Sequence, residues 1–191
     1  MKEMIKMVVV LSVLCAISGS GLAALKQVTE PIIEEQVLTY VQAPAIESVL
    51  TGYDNDPIKD RKKFEYDGQV VMVFPAIKDG KLIGVALETA SKGFGGQINV
   101  MVGFDVAAGA LSGIGITTMK ETPGIGSRVA ESGFTAQFQG HPLKMVELKS
   151  KGGDIDAIAG ATISSTGTVN AVQNALAIYN SLKDQFAQSW S

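Results

Sequence analysis

The sequence predicts an α+β chain: a single N-terminal transmembrane helix, then an extracytoplasmic domain in which a twisted antiparallel sheet packs against helices. Three observations carry this. An uncharged run of 19 residues, Met7 to Leu25, opens the chain. Two β-rich stretches in the middle fold back on themselves around turn residues. A long apolar stripe at helical spacing closes the chain. Strands grouped together and followed by a long helix give a segregated α+β arrangement rather than an alternating parallel one.

As a helix the opening run is about 29 Å long at 1.5 Å per residue, the thickness of a bilayer core. Two readings compete for it. A cleaved signal peptide could use Gly21-Leu22-Ala23 as a small-x-small site. A permanent anchor is favoured by length, and because a helical pattern continues past Lys26 through "VTEPIIEEQVLTYV", where Pro31 is tolerable in a first turn. Lys2, Lys6 and the amino terminus precede the run, while Lys26, Glu30, Glu34 and Glu35 follow it. The excess of positive charge at the front places the N-terminus in the cytoplasm and the rest of the chain outside. Cys15, the only cysteine, lies inside the run, so neither a disulfide nor a cysteine metal site can be built. A net charge of −3 leaves no basic surface for nucleic acid.

The chain divides into an anchor at 1–28, a helical linker region at 29–61 and a domain at 62–191. Within the linker, "PAIESVLTGYDNDPIKDR" holds a short apolar piece and then turn residues around Asn55, Asp56 and Pro57. "QVVMVFPAIKDGKLIGVALETA" places β-rich runs on either side of Asp79-Gly80, a hairpin dipeptide, and "INVMVGFDVAAGALSGIGITTM" repeats the pattern around Ala107 to Ala110. A shorter helix is expected near Ser127 to Phe134. Val169, Val172, Leu176, Tyr179, Leu182 and Phe186 recur at steps of three and four, one stripe of a helix from about Ser164 to Phe186 that should cover the sheet.

Four hydroxyls crowd the entry to that helix: Thr162, Ser164, Ser165 and Thr166, directly behind Gly160-Ala161. The first turn of a helix has unpaired N–H groups and the positive end of the macrodipole, so hydroxyls there either cap the helix or accompany a bound anion. Ser164 or Ser165 is the candidate cap. In Glu121-Thr122-Pro123-Gly124 the Pro and Gly stand where a type II turn wants them, and a Gly124 with positive φ would allow a close approach of backbone. Lys149 and Lys151 either offset a phosphate or form a solvated basic loop. His141, without companion ligands, reads as a loop residue, and the penultimate Trp190 as a frayed end. There is no nucleophile triad, Walker loop or dinucleotide fingerprint, hence no catalytic residue and no metal site to assign.

Asp156-Ala157-Ile158-Ala159-Gly160-Ala161-Thr162 resembles the D-x-x-S/T-G-A-T signature of the FMN-binding domain family, departing from it at Ala159. "ETPGIG", Glu121 to Gly126, is similar to a second family motif, and "GFGGQINVMVGFD", Gly93 to Asp105, to a third. With one N-terminal span, the pattern resembles the G subunits of Rnf-type ion-translocating electron transport complexes, which are related to the C subunits of sodium-translocating NADH:quinone reductase. The resemblance implies FMN joined by a phosphoester to Thr162, with Glu121, Thr122, Gly124, Ile125, Gly160, Ala161, Ser164 and Ser165 around it. Thr122 and Ile125 would lie nearest the ring. It implies a flavin transferase that reads Asp156 during maturation, and other membrane subunits of the complex as partners. It also implies a bacterial inner-membrane location with the domain outside. Two other functions stay open: a flavin-independent anchored assembly or binding module, and a stand-alone extracytoplasmic flavoprotein reductase.

Overall fold

The computed structural model describes residues 1–190 and separates them into two compact units, Met1–Tyr40 and the chain from Val41 onward. The first unit is dominated by α1, Lys2–Val37, whose 36 residues give a length of about 54 Å. It is long and apolar enough to cross a membrane, and its large apolar side chains, Leu11, Leu14 and Ile17 among them, are exposed. Pro31, expected in a first turn, lies inside the helix instead. The carbonyl it leaves unpaired belongs to Gln27, on an exposed turn, so the helix carries the proline without breaking.

In the second unit a short helix, α2 (Ala43–Val49), precedes five strands: β1 (Lys62–Tyr66), β2 (Gln69–Lys78), β3 (Lys81–Lys92), β4 (Gln97–Asp105) and β5 (Ala110–Met119). They form one antiparallel sheet in sequence order. The hairpin predicted at Asp79-Gly80 is present, with φ of 50° and 72° at the two residues, as a two-residue turn of this kind demands. Asp67-Gly68 repeats it, with φ of 50° and 71°, between β2 and a strand β1 that the sequence pattern assigns to no hairpin. The compact unit begins at Val41, and Ala45, Ile46, Val49 and Leu50 near its start are buried.

Alternation along β4 explains the layers. Ile98, Val100, Val102 and Phe104 face the main core, which α4 (Thr162–Ser189) covers by lying across β3 and β4. Met101 and Gly103 face the other way, where α2 lies across β4 and β5. All six stripe residues of the last helix are buried. The short helix expected near Ser127 to Phe134 is a broken run: 3-10 turns at Gly126–Ala130 and Ala136–Phe138 flank a single α-turn, α3 (Ser132–Thr135). It delivers Val129, Phe134 and Phe138 to the core.

Trp190 is not a frayed end. Its ring is 5.5 Å from that of Phe64 and 6.3 Å from that of Phe186, its indole N–H donates to the Asp60 carbonyl at 3.2 Å, and the residue is buried. Burial of so large an apolar surface outweighs the tendency of a chain end to fray.

Candidate functional site

The site is assembled at the start of α4 by a single carboxylate. Glu121, just past the end of β5, is 9% exposed. Its Oε1 accepts the N–H of Gly95 at 3.0 Å, and its Oε2 accepts the hydroxyl of Ser164 at 2.6 Å. One side chain therefore joins the loop between β3 and β4, the ETPGIG segment and the first turn of α4. The fit leaves no room at Gly126, where a Cβ would stand 2.6 Å from Glu121 Oε2 and 2.8 Å from Ser164 Oγ.

Two tight turns set the rim. Ile125 N–H bonds to the Thr122 carbonyl at 3.2 Å across Pro123-Gly124, with Gly124 at φ +73° as a type II turn requires. The Gly124 N–H donates to Ser127 Oγ at 2.8 Å. Ala161 N–H likewise bonds to the Ile158 carbonyl at 2.9 Å, with Gly160 at φ +80°. Ala159, the position that departs from the family signature, is exposed in this turn, so packing is unaffected by its lack of a hydroxyl.

The four hydroxyls separate cleanly. Helix α4 begins at Thr162, its N-cap position is Ala161, and no side chain caps it. Ser164 and Ser165, expected as caps, sit too far into the helix for that role and are buried. Ser164 is committed to Glu121. Ser165 Oγ donates to the Ala161 carbonyl and accepts the Ile158 N–H, both at 3.0 Å, which closes the Gly160 turn. Thr166 donates back to the Thr162 carbonyl at 2.8 Å. Among the described residues the Thr162 hydroxyl alone of the four makes no hydrogen bond, and the residue is exposed.

Thr162 opens onto a cleft of about 460 Å³, within the usual range for small-molecule sites. Of the expected cofactor residues, Glu121, Thr122, Ile125, Gly160, Ala161, Thr162 and Ser164 line it. Gly124 and Ser165 do not, and act by shaping the two turns. Gly126 lines the cleft too, as do two residues to which sequence reasoning gave no role, Phe94 and Ile163. With Ile125 they form an apolar rim that is 69%, 55% and 50% exposed in the order Phe94, Ile163, Ile125. Three large apolar side chains left in water around one opening mark a binding surface. An Ile between Thr162 and Ser164, off the apolar stripe of that helix, was the available signal in the sequence.

The remaining candidates lie elsewhere. Asp156 is exposed, its carboxylate 2.6 Å from Lys149 Nζ. Its backbone is held at both ends by Gln137, whose Oε1 accepts the Asp156 N–H at 2.7 Å and whose Nε2 donates to the Asp156 carbonyl at 3.2 Å. Lys151 lies 4.0 Å from Glu147. Both lysines are thus matched to carboxylates, and neither lines the cleft. His141 is buried, its Nδ1 donating to the Pro142 carbonyl at 2.8 Å and its Nε2 lying 3.0 Å from the Asp154 carboxylate. That hydrogen bond is the chief cause that holds the Asp154 carboxyl below its ordinary range. No group of three or more His, Cys, Asp or Glu suited to a metal occurs among the described residues.

The profile of the FMN-binding domain matches residues 93–177, from the loop beside Glu121 to the middle of α4. The G subunit of the ion-translocating oxidoreductase complex of Erwinia tasmaniensis is 31% identical over 194 residues, covering 94% of this chain and 91% of the relative. Its counterpart in Methanosarcina acetivorans is 27% identical over 177 residues, 92% of this chain and 94% of the relative. The crystal structure of the C subunit of Na(+)-translocating NADH-quinone reductase from Parabacteroides distasonis shares the fold, with a TM-score of 0.51 at 24% identity over 68% of this chain and 69% of that one. The chain belongs to the family of G subunits of ion-translocating oxidoreductase complexes, and its residues 93–177 match the FMN-binding domain.

Proposed function

We propose that this chain is a membrane-anchored, extracytoplasmic flavoprotein subunit that carries FMN esterified through its phosphate to Thr162, and that it relays electrons between other redox subunits of an Rnf-type ferredoxin:NAD oxidoreductase complex. The observation that carries the reading is the division of labour among the hydroxyls. Ser164, Ser165 and Thr166 are spent on the fold, whereas Thr162 is unengaged and borders an apolar cleft.

The residues present fit the group. The N–H groups of Thr162, Ile163 and Ser164 precede the first full helical hydrogen bond, Ser165 N–H to the Ala161 carbonyl, so they are available to a phosphate at the positive end of α4. Phe94, Ile125 and Ile163 offer apolar walls to a flat ring. Bound FMN supplies one-electron transfer, with its ring chemically unaltered by a tether at the tail. Attachment forms a bond from Thr162 Oγ1 to phosphorus, releases the hydroxyl proton and displaces the group that phosphorus carried, with no change of oxidation state. Glu121, the carboxylate on the cleft, is engaged by the Gly95 N–H and the Ser164 hydroxyl, which supports a flavin transferase as the agent of that step. Asp156, exposed on a backbone that Gln137 holds, suits reading by a second protein.

The anchor lies within residues 1–28, and residues 62–191 contain every residue of the proposed site. Lys2 and Lys6 before the apolar run support a cytoplasmic N-terminus, and hence a domain on the far side of the cytoplasmic membrane. Intact mass of the protein from its native membrane tests both halves of the reading. The expected result is the uncleaved chain plus one FMN less water, with the modified peptide containing Thr162. An unmodified mass overturns the covalent site, and loss of the first two dozen or so residues overturns the anchor.

A further inference from the structure

We propose that Phe94 is the aromatic side chain that covers the flavin ring; this rests on the reading of Thr162 as the FMN carrier. Phe94 sits at the tip of the β3–β4 hairpin, where Gly93 N–H bonds to the Gly96 carbonyl at 2.7 Å and leaves a two-residue loop, Phe94-Gly95. The tip does not hang free. The Gly95 N–H is held by Glu121 Oε1 at 3.0 Å, and the Gly95 backbone is pressed so closely on the Lys120 carbonyl that no side chain could stand there.

The backbone of Phe94 is therefore fixed while its side chain is 69% exposed beside the cleft. On a backbone held by a buried carboxylate, only the side-chain torsions of Phe94 remain to be ordered on binding. Aromatic faces gain most from stacking on another flat ring, and Thr162, on the same cleft, fixes which ring arrives there. The two oxygens of Glu121 tie the Phe94 hairpin to the helix turn that carries Thr162.

The test places an electron-rich indole at the site and asks whether it meets the flavin. Phe94→Trp is compared with Val70→Trp, because Val70 is equally exposed, at 69%, but lies on β2 and does not line the cleft. Each protein is produced with a flavin transferase, and its flavin fluorescence is read native and then denatured, so that loading cancels. An indole in contact with the isoalloxazine ring quenches its fluorescence by reversible electron donation to the excited flavin. Phe94→Trp should be quenched severalfold in the native state and recover on denaturation, while Val70→Trp matches the parent. Phe94→Ala, which loads without an added aromatic, should show native fluorescence that iodide quenches more strongly than in the parent. Equal native fluorescence in the two tryptophan variants, or unchanged iodide quenching in Phe94→Ala, overturns the role of Phe94 alone. A parent band that is dark after denaturation overturns the covalent attachment, and this proposal with it.

Discussion

At its last turns α4 ends in a closed aromatic cluster, whereas at its first turn it borders an open cleft with three apolar side chains in water. Phe186 is 1% exposed, and its ring lies 4.9 Å from Phe64 edge-on and 6.1 Å from Tyr179. Phe94, Ile125 and Ile163 at the other end have no such partners and remain at least half exposed. The polar groups differ too. At the closed end the Trp190 indole N–H is paired with the Asp60 carbonyl, while at the open end the Thr162 hydroxyl is without a partner among the described residues. The same helix thus concentrates its stability at one end and keeps unspent surface at the other. Unspent surface lowers the stability of the folded chain and is retained where a ligand completes it.

Crossing one substitution at each end gives the largest expected effect. Thr162→Val keeps the β-branch and removes the oxygen, so covalent flavin should vanish while the melting temperature of the flavin-free protein stays close to the parent. Phe186→Ala empties a fully buried site and should cost about 3–5 kcal/mol of unfolding free energy, while its folded fraction is still modified at Thr162. In-gel fluorescence after denaturation and a urea titration read the two quantities separately. FMN found on Ser164, Ser165 or Thr166 in Thr162→Val would remove the distinction drawn between the four hydroxyls.

Glu121 is where the open end borrows from the closed one, because it is the buried polar tie that keeps the cleft in shape. Glu121→Ala leaves the Gly95 N–H and the Ser164 hydroxyl without their acceptor, and should cost about 1–3 kcal/mol. A double-mutant cycle with Ser164→Ala isolates the shared bond, and the coupling should fall at about 1.5–3 kcal/mol for a hydrogen bond to a carboxylate. Strictly additive losses in urea would mean that the 2.6 Å contact contributes nothing to stability.

Much of the closed end could be read in the sequence, and little of the open end's construction. The apolar stripe from Val169 to Phe186 repeats at a fixed spacing, so its burial follows from period alone. Asp79-Gly80 announced its hairpin because a two-residue turn with two positive φ values selects such dipeptides. Strand β1 escaped because "KKFEY" is short and charged, and the signal that could have found it was the second Asp-Gly pair at Asp67-Gly68. That omission also hid the partner of Trp190, since Phe64 lies on β1. The Glu121 clasp joins residues 26 and 43 positions away, which no local spacing encodes. Motif resemblance brought those three segments to one site, and the structure supplies the bond that holds them there.

A smaller effect separates backbone strain at the cleft from the same strain elsewhere. Gly124 at φ +73° and Gly109 at φ +61° both have open space where a Cβ would stand, so a Gly→Val change at either meets backbone strain before any contact of its Cβ. Either should cost about 1–2 kcal/mol. Only Gly124→Val should also shift the absorbance of the bound flavin, because Gly124 shapes the turn beneath Thr122 and Ile125, while Gly109 lies in the β4–β5 turn. Identical flavin spectra in the two variants would detach the ETPGIG turn from the ring site.

The smallest expected effect belongs to the His141–Asp154 pair, which lies outside both ends of the comparison and should leave both unchanged. His141 donates to the Pro142 carbonyl through Nδ1, and its Nε2 lies 3.0 Å from the Asp154 carboxylate. The Asp154 carboxyl is held below its ordinary range by its hydrogen bond with His141 first, and by the charges of His141 and Lys144 after it. A carboxyl with a depressed folded pKa contributes stability that is fully present above the unfolded value of about 3.9 and is lost as pH falls through the folded value. The Asp154 side chain is 52% exposed, so solvent screening limits the contribution to less than about 1 kcal/mol. Asp154→Asn should therefore unfold at slightly lower urea than the parent at pH 6, and the two curves should converge as the pH is brought below the folded value. Flavin attachment should be equal in both. A gap that widened on acidification would reverse the sign of the linkage and show that the pair opposes the fold.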